Sequence, residues 1–122
     1  MLDHVTIGVS DFEQSKVFYD KALKSIGIER LYAEGTSFAG YGVNKKAFFW
    51  IGLKTSGVVG VHIAFAVDTR DAVDRFHAAG LSAGGRDNGS PGLRPHYHAN
   101  YYGAFVLDPD GHNIEAVCHH SA

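Results

Sequence analysis

The chain has 122 residues, 45% of them hydrophobic and 20% charged, enough for one compact domain with a buried core. A formal net charge of −2 supplies no basic field, which excludes electrostatic attraction to nucleic acid as a driving function. No apolar run approaches the roughly 20 residues that cross a bilayer, no charged-then-apolar leader opens the chain, and the lone Cys118 has no intrachain disulfide partner. The expectation is a cytoplasmic protein with neither a membrane nor a nucleic acid as partner.

The first element is read from "HVTIGV", residues 4–9. Val5, Ile7 and Val9 alternate with His4, Thr6 and Gly8, so one face of a strand is apolar and the other small and polar. Ser10 and Glu13 have the spacing of a capping box, and Phe18, Tyr19, Ala22 and Leu23 fall on one helix face. Three β-prone runs follow at about 28–34, 37–43 and 46–53, and "KTSGVVG" at 54–60 reads as a linker.

The pattern then restarts. At a constant offset of 58, His4 meets His62, Val9 meets Val67, Phe18 meets Phe76 and Leu23 meets Leu81. "HIAFAV" alternates as the first strand does, Asp68 or Thr69 can cap a second helix, and Ala72, Val73, Phe76 and Ala79 repeat at helical spacing. Runs at about 82–87, 97–107 and 112–118 complete the copy, with a long Gly/Pro/Asn-rich loop at 86–98. The fold class is therefore α+β: two βαβββ modules, 1–53 and 61–118, paired into a curled mixed sheet that encloses one cleft within a single domain.

Aligning the last strands, "KAFFWIG" against "GHNIEAV", puts Trp50 in the place of Glu115. Pairing of the modules would then gather His4, His62 and Glu115 at three corners of one cleft, with Trp50 at the fourth. A carboxylate in an apolar strand calls for a partner. Two imidazoles and one carboxylate on separate strands form the set that holds Fe(II), Mn(II) or a related divalent ion with positions left open for a small-molecule substrate. Glu115 alone could instead form an ion pair, and Trp50 could simply pack.

The segment "RPHYHANYY", 94–102, concentrates polar and aromatic groups ahead of the "DPDG" turn. His96 or a tyrosine could act as acid or base, Arg94 could clamp an anion, and Trp50, Phe48, His98 and Tyr102 are candidate substrate contacts. A two-residue turn would put Tyr102 and the histidines on the side of Glu115. A bulged turn with Gly111 left-handed, favoured by Pro109 and Gly111, would put Tyr101 there. Cys118 reads as a small buried hydrophobe, and His112, His119 and His120 read as surface residues.

"DHVTIGVSD", "GVHIAFAVD" and "DPDGHNIEAV", in that order, resemble the glyoxalase/bleomycin-resistance/extradiol dioxygenase superfamily, the vicinal oxygen chelate proteins, over essentially the whole chain. The resemblance implies paired βαβββ modules, a homodimer whose chains often share a site, and metal ligands at the positions of His4, Trp50, His62 and Glu115. A glyoxalase I would carry an oxygen donor where Trp50 stands, whereas His, His and Glu resemble the site of the extradiol dioxygenases, with Tyr101 and His96 ahead of the Glu. The implied activity is that of a divalent-metal enzyme, using Fe(II), Mn(II), Ni(II) or Zn(II) as isomerase, lyase or dioxygenase. The alternative is a metal-free, antibiotic-sequestering type of binding protein.

Overall fold

The computed structural model describes residues 1–121. Its elements are β1 (Val5–Val9), α1 (Phe12–Lys24), β2 (Glu29–Glu34), β3 (Phe38–Val43), β4 (Lys46–Leu53), β5 (His62–Ala66), α2 (Arg70–Ser82), β6 (Arg86–Leu93), β7 (Tyr102–Leu107) and β8 (Asn113–Cys118). This is βαβββ twice, the α+β class read from the sequence. The strands form two four-stranded sheets, ordered β1-β4-β3-β2 and β5-β8-β7-β6, with the first pair parallel in each and the others antiparallel.

Local sequence explains the elements, with three corrections. Helix α1 is capped by Asp11, whose carboxylate accepts from the Gln14 N–H, and not by Ser10, which turns to Asp110 instead. Thr69 caps α2 by accepting from Ala72 N–H. Both helices stop in the same way: Gly27 (φ +84°) and Gly84 (φ +100°) take the left-handed conformation, and the next N–H returns to Leu23 and Gly80 carbonyls. The second correction concerns 82–87, where α2 runs through Ser82 and β6 starts only at Arg86, continuing into the segment read as loop. Glycines at 89 and 92 let that strand shift register twice against β7 while keeping its pairing.

The apolar faces of both sheets close on the helices. Phe18, Tyr19, Leu23, Phe49 and Ile51 of the first module share one buried cluster with Phe65, Val73, Phe76, Val106 and Ile114 of the second. The helices pack against each other, and Phe49 meets Phe65 edge-on at 5.4 Å.

Polar bolts cross the seam. The Tyr19 hydroxyl donates to buried Asp108, and Ser10 donates through its N–H and hydroxyl to Asp110. His112 supplies the third correction, because it is 1% exposed and not a surface residue. Its Nδ1 accepts from the Val61 N–H at 3.1 Å, so the proton sits on Nε2 and is donated to the Gly8 carbonyl at 2.7 Å. The "DPDGH" turn is thereby held to the first module, and β8, which carries Glu115, leaves from that anchor.

Candidate functional site

Glu115 lies on β8, between Ala64 of β5 and Phe105 of β7. It is 1% exposed, so its charge needs compensation from close partners. His62 Nε2 stands 2.8 Å from Oε1, and the Tyr101 hydroxyl donates to Oε2. His62 is half exposed and meets the Phe105 ring edge-on at 6.0 Å, so the pair opens to solvent on the imidazole side.

Turn chemistry decides which tyrosine takes part. Gly111 adopts φ +87° and Asp108 N–H bonds the His112 carbonyl, which aligns Leu107 with Asn113 and Phe105 with Glu115. Odd-numbered residues of this strand therefore share Glu115's face, and Tyr101, just ahead of β7, folds over it. Gly103 gives it room: a Cβ there would lie 3.2 Å from the Tyr101 ring and 3.3 Å from Glu115 Oε2. Burial, then the hydrogen bond to Glu115, holds the Tyr101 hydroxyl well above the ordinary tyrosine range. It is a hydrogen-bond donor at neutral pH.

Other candidates sit elsewhere. Tyr102 turns to α2, where its hydroxyl donates to Asp74 and its ring lies 5.1 Å from the Arg70 guanidinium. His96 packs on Tyr97 at 4.3 Å, not on Glu115. His98 pairs with His119, Nε2 to Nδ1 at 2.7 Å, and both rings meet Tyr101 edge-on, making them props of the tyrosine ring. Arg94 lies over Phe105, one strand from Glu115. Phe48 lines an apolar pocket of about 330 Å³ together with Leu2 and Val5 of the first module and Ile63 and Phe65 of the second. Phe105 was missed by sequence reading; the signal was the bulged turn, which fixes its register opposite Glu115.

The sequence alignment of Trp50 with Glu115 has a direct structural counterpart. Trp50 pairs with Thr6 and Glu115 with Ala64, and Thr6 and Ala64 are the same position of the repeat. Trp50 nevertheless joins Tyr32 and Phe38, each 6.0 Å away, rather than any carboxylate. His4 bonds Asp3 at 2.8 Å, in a pocket lined by Asp3, Thr6, Lys46, Ala47 and Trp50, all from the first module.

Within one chain, then, His4 does not join His62 and Glu115. Among the described residues no three His, Cys, Asp or Glu side chains gather as a metal centre. The physical reason is that the modules pack through their helix-covered faces, leaving the two open faces to different surroundings. Donor chemistry on the second module still fits a divalent ion in part: an imidazole nitrogen and a carboxylate oxygen on one face, with the outer carboxylate oxygen held by Tyr101.

Two βαβββ units with this strand order, one bearing a His–carboxylate pair on its open face, define a chain of the glyoxalase-type α+β fold. The chain belongs to the Glyoxalase/Bleomycin resistance protein/Dioxygenase superfamily, whose family model matches residues 1–116. Among solved structures it is similar to a glyoxalase/bleomycin resistance protein from Albidiferax ferrireducens T118, with 32% identity, TM-score 0.81 and coverage of 95% of this chain and 96% of that one. A glyoxalase-related enzyme from Fulvimarina pelagi shares the fold at 21% identity and TM-score 0.75, covering 97% and 87%. So does a lactoylglutathione lyase from Agrobacterium tumefaciens, at 13% identity and TM-score 0.71, covering 97% and 92%. A search of the curated proteins gave no significant match. No helix among the described residues is long and apolar enough to cross a membrane.

Proposed function

We propose that this chain is a divalent-metal-dependent enzyme acting on a small substrate with two vicinal oxygens, and that its site is assembled in a cytoplasmic homodimer. His62 and Glu115 would hold the ion, and His4 of a second copy would complete the set. The observation that carries this reading is a buried carboxylate already aligned with one imidazole on an open sheet face. The repeat supports the rest, since His4 occupies in the first module the position that His62 occupies in the second. An open face presenting Trp50, Tyr32 and Phe38 would lie across from Glu115 when two chains pair through unlike modules.

The ion, Fe(II), Mn(II), Ni(II) or Zn(II), would supply Lewis-acid stabilisation of charge developing on the substrate oxygens. The chain's own residues supply the remainder. Tyr101 holds its proton and, by donating it to Glu115, orients that carboxylate, while the lone pairs of the hydroxyl oxygen are left to accept from a substrate hydroxyl. Trp50 offers a flat apolar wall that cannot coordinate, so fewer positions on the ion would be taken by protein. Isomerase, lyase and dioxygenase outcomes all fit this arrangement.

A second reading has its own support. Trp50 with Tyr32 and Phe38 forms an exposed aromatic face, which suits a protein that binds a planar ligand there by stacking and without a metal. Metal content after purification without chelator separates the two. The enzyme reading expects one ion per chain in the wild type and none in Glu115→Ala; no metal in either would sink it. Mixing His4→Ala with Glu115→Ala chains tests the shared site, because each mixed dimer regains one intact set. Recovery of about a quarter of the full metal complement is expected for random dimers with two shared sites, and no recovery would place the site within one chain.

A further inference from the structure

Arg94 is an unusual cation in this fold. Its Nη1 donates to the Gly92 carbonyl and its Nη2 to the Ser90 carbonyl, both at 2.8 Å, and its guanidinium lies 5.4 Å from the centre of the Phe105 ring. Space for it is built into β6: a Cβ on Gly89 or Gly92 would come within 3.2 Å of its terminal nitrogens. The side chain is thus fixed in a cradle, with the rotamer freedom of a surface arginine already removed. No carboxylate among the described residues pairs with it. Two of its five N–H donors are used, which leaves three for something else.

Phe105 connects this cation to the site. It pairs with Glu115 across β7 and β8, touches His62 on one side and carries Arg94 on the other. From Glu115 on β8 to β6, which Arg94 follows, is two strand spacings, roughly 10 Å, a span that a small ligand held at Glu115 can cover. We propose that Arg94 is a preorganised anion subsite of the same open face, so that the natural ligand carries a carboxylate in addition to the oxygens that engage His62 and Glu115. A fixed guanidinium favours a planar carboxylate because it can meet it with parallel N–H groups. This inference rests on reading that face as the ligand site, not on the ion being bound.

The test compares catechol, which offers vicinal oxygens alone, with 3,4-dihydroxybenzoate, which adds a carboxylate one ring away. Calorimetry gives the affinities, with and without added Fe(II) or Mn(II), and the Arg94 Nε–H signal in nitrogen-15 spectra reports contact. At least tenfold tighter binding of 3,4-dihydroxybenzoate is expected for the wild type. The preference should fall to near unity in Arg94→Met with catechol affinity unchanged, and should survive in part in Arg94→Lys. Spectra of the two variants confirm that the 94–101 loop keeps its fold. Equal binding of the two probes, or a preference that persists in Arg94→Met, overturns the subsite and leaves the metal reading standing. If metal and catechol both fail to bind while 3,4-dihydroxybenzoate still shifts Arg94, the metal reading falls and the subsite stands. An Arg94 signal unmoved by 3,4-dihydroxybenzoate also overturns the subsite.

Discussion

The two modules share a scaffold and differ on one face. Both have the same strand order, the same helix closure and the same register between first and last strands. Their helix-covered faces are built from matching residues, with Phe18 and Phe76 both fully buried. The open faces share a leading histidine, His4 and His62, but differ at the last strand, where one offers an indole and the other a carboxylate. Core positions are held by close packing, where a change of one methylene is felt. Open-face positions are free of that constraint, so chemistry diverged there while the fold did not.

Several substitutions would break or sharpen this comparison. The largest effects are expected for Phe18→Ala and Phe76→Ala, each costing about 3–5 kcal/mol in urea unfolding. Because both sit in one cluster, each variant should unfold in a single transition. Separate transitions in either would show two independent cores instead.

The seam between modules comes next. His112→Ala empties a buried position and removes the hydrogen bonds to the part-buried Val61 N–H and Gly8 carbonyl, and should cost about 2–3 kcal/mol. A loss below the experimental error would mean that the turn is positioned by the Tyr19–Asp108 and Ser10–Asp110 bonds alone.

Smaller again is the effect of crowding the indole. A Cβ on Gly40 would meet the Trp50 ring at 2.7 Å, so Gly40→Ala should displace the ring at about 1 kcal/mol and shift the fluorescence of the chain's single tryptophan. An unchanged spectrum would argue that Trp50 does not lie flat on β3.

The last prediction concerns pH. Burial first, then the neighbouring carboxylates, raises the hydroxyls of Tyr41 in module one and Tyr101 in module two above their unfolded values. The folded state therefore keeps protons that the unfolded chain releases. Their stabilisation is complete below about pH 10 and is lost as pH rises beyond it. Tyr41→Phe and Tyr101→Phe should each flatten this alkaline decline, since each removes one hydroxyl whose proton the folded state retains. At neutral pH, Tyr101→Phe should cost about 1.5–3 kcal/mol, because it removes a donor from the buried Glu115 carboxylate. Equal slopes in all three proteins would contradict the raised values.

Much of the fold was legible because its signals are local. Alternation in residues 4–9 and 62–67 marks strands, and helical spacing of Phe18 and Phe76 marks the buried faces. The offset of 58 carries the equivalence of His4 with His62. Less visible were features that depend on partners distant in sequence. Ser10 has the spacing of a cap, yet Asp110 lies across the seam and draws it away. His112 looks like a polar turn residue, yet both of its nitrogens meet backbone groups of other elements. Gly89 and Gly92 read as loop until β7 supplies a strand for them to pair with.

The sequence by itself determined the repeated βαβββ units and the pairing of Trp50 with Glu115 in the repeat, and through Pro109 and Gly111 it favoured Tyr101 over Tyr102 without deciding between them. Only the tertiary structure decided which of the site's corners meet. An alternating strand has two usable faces, and nothing local states which face will be buried against the other module. Here the helix-covered faces won, because their phenylalanines and isoleucines bury the most apolar surface. That choice joins His62, Glu115 and Tyr101 in one chain and leaves His4 and Trp50 on a separate open face.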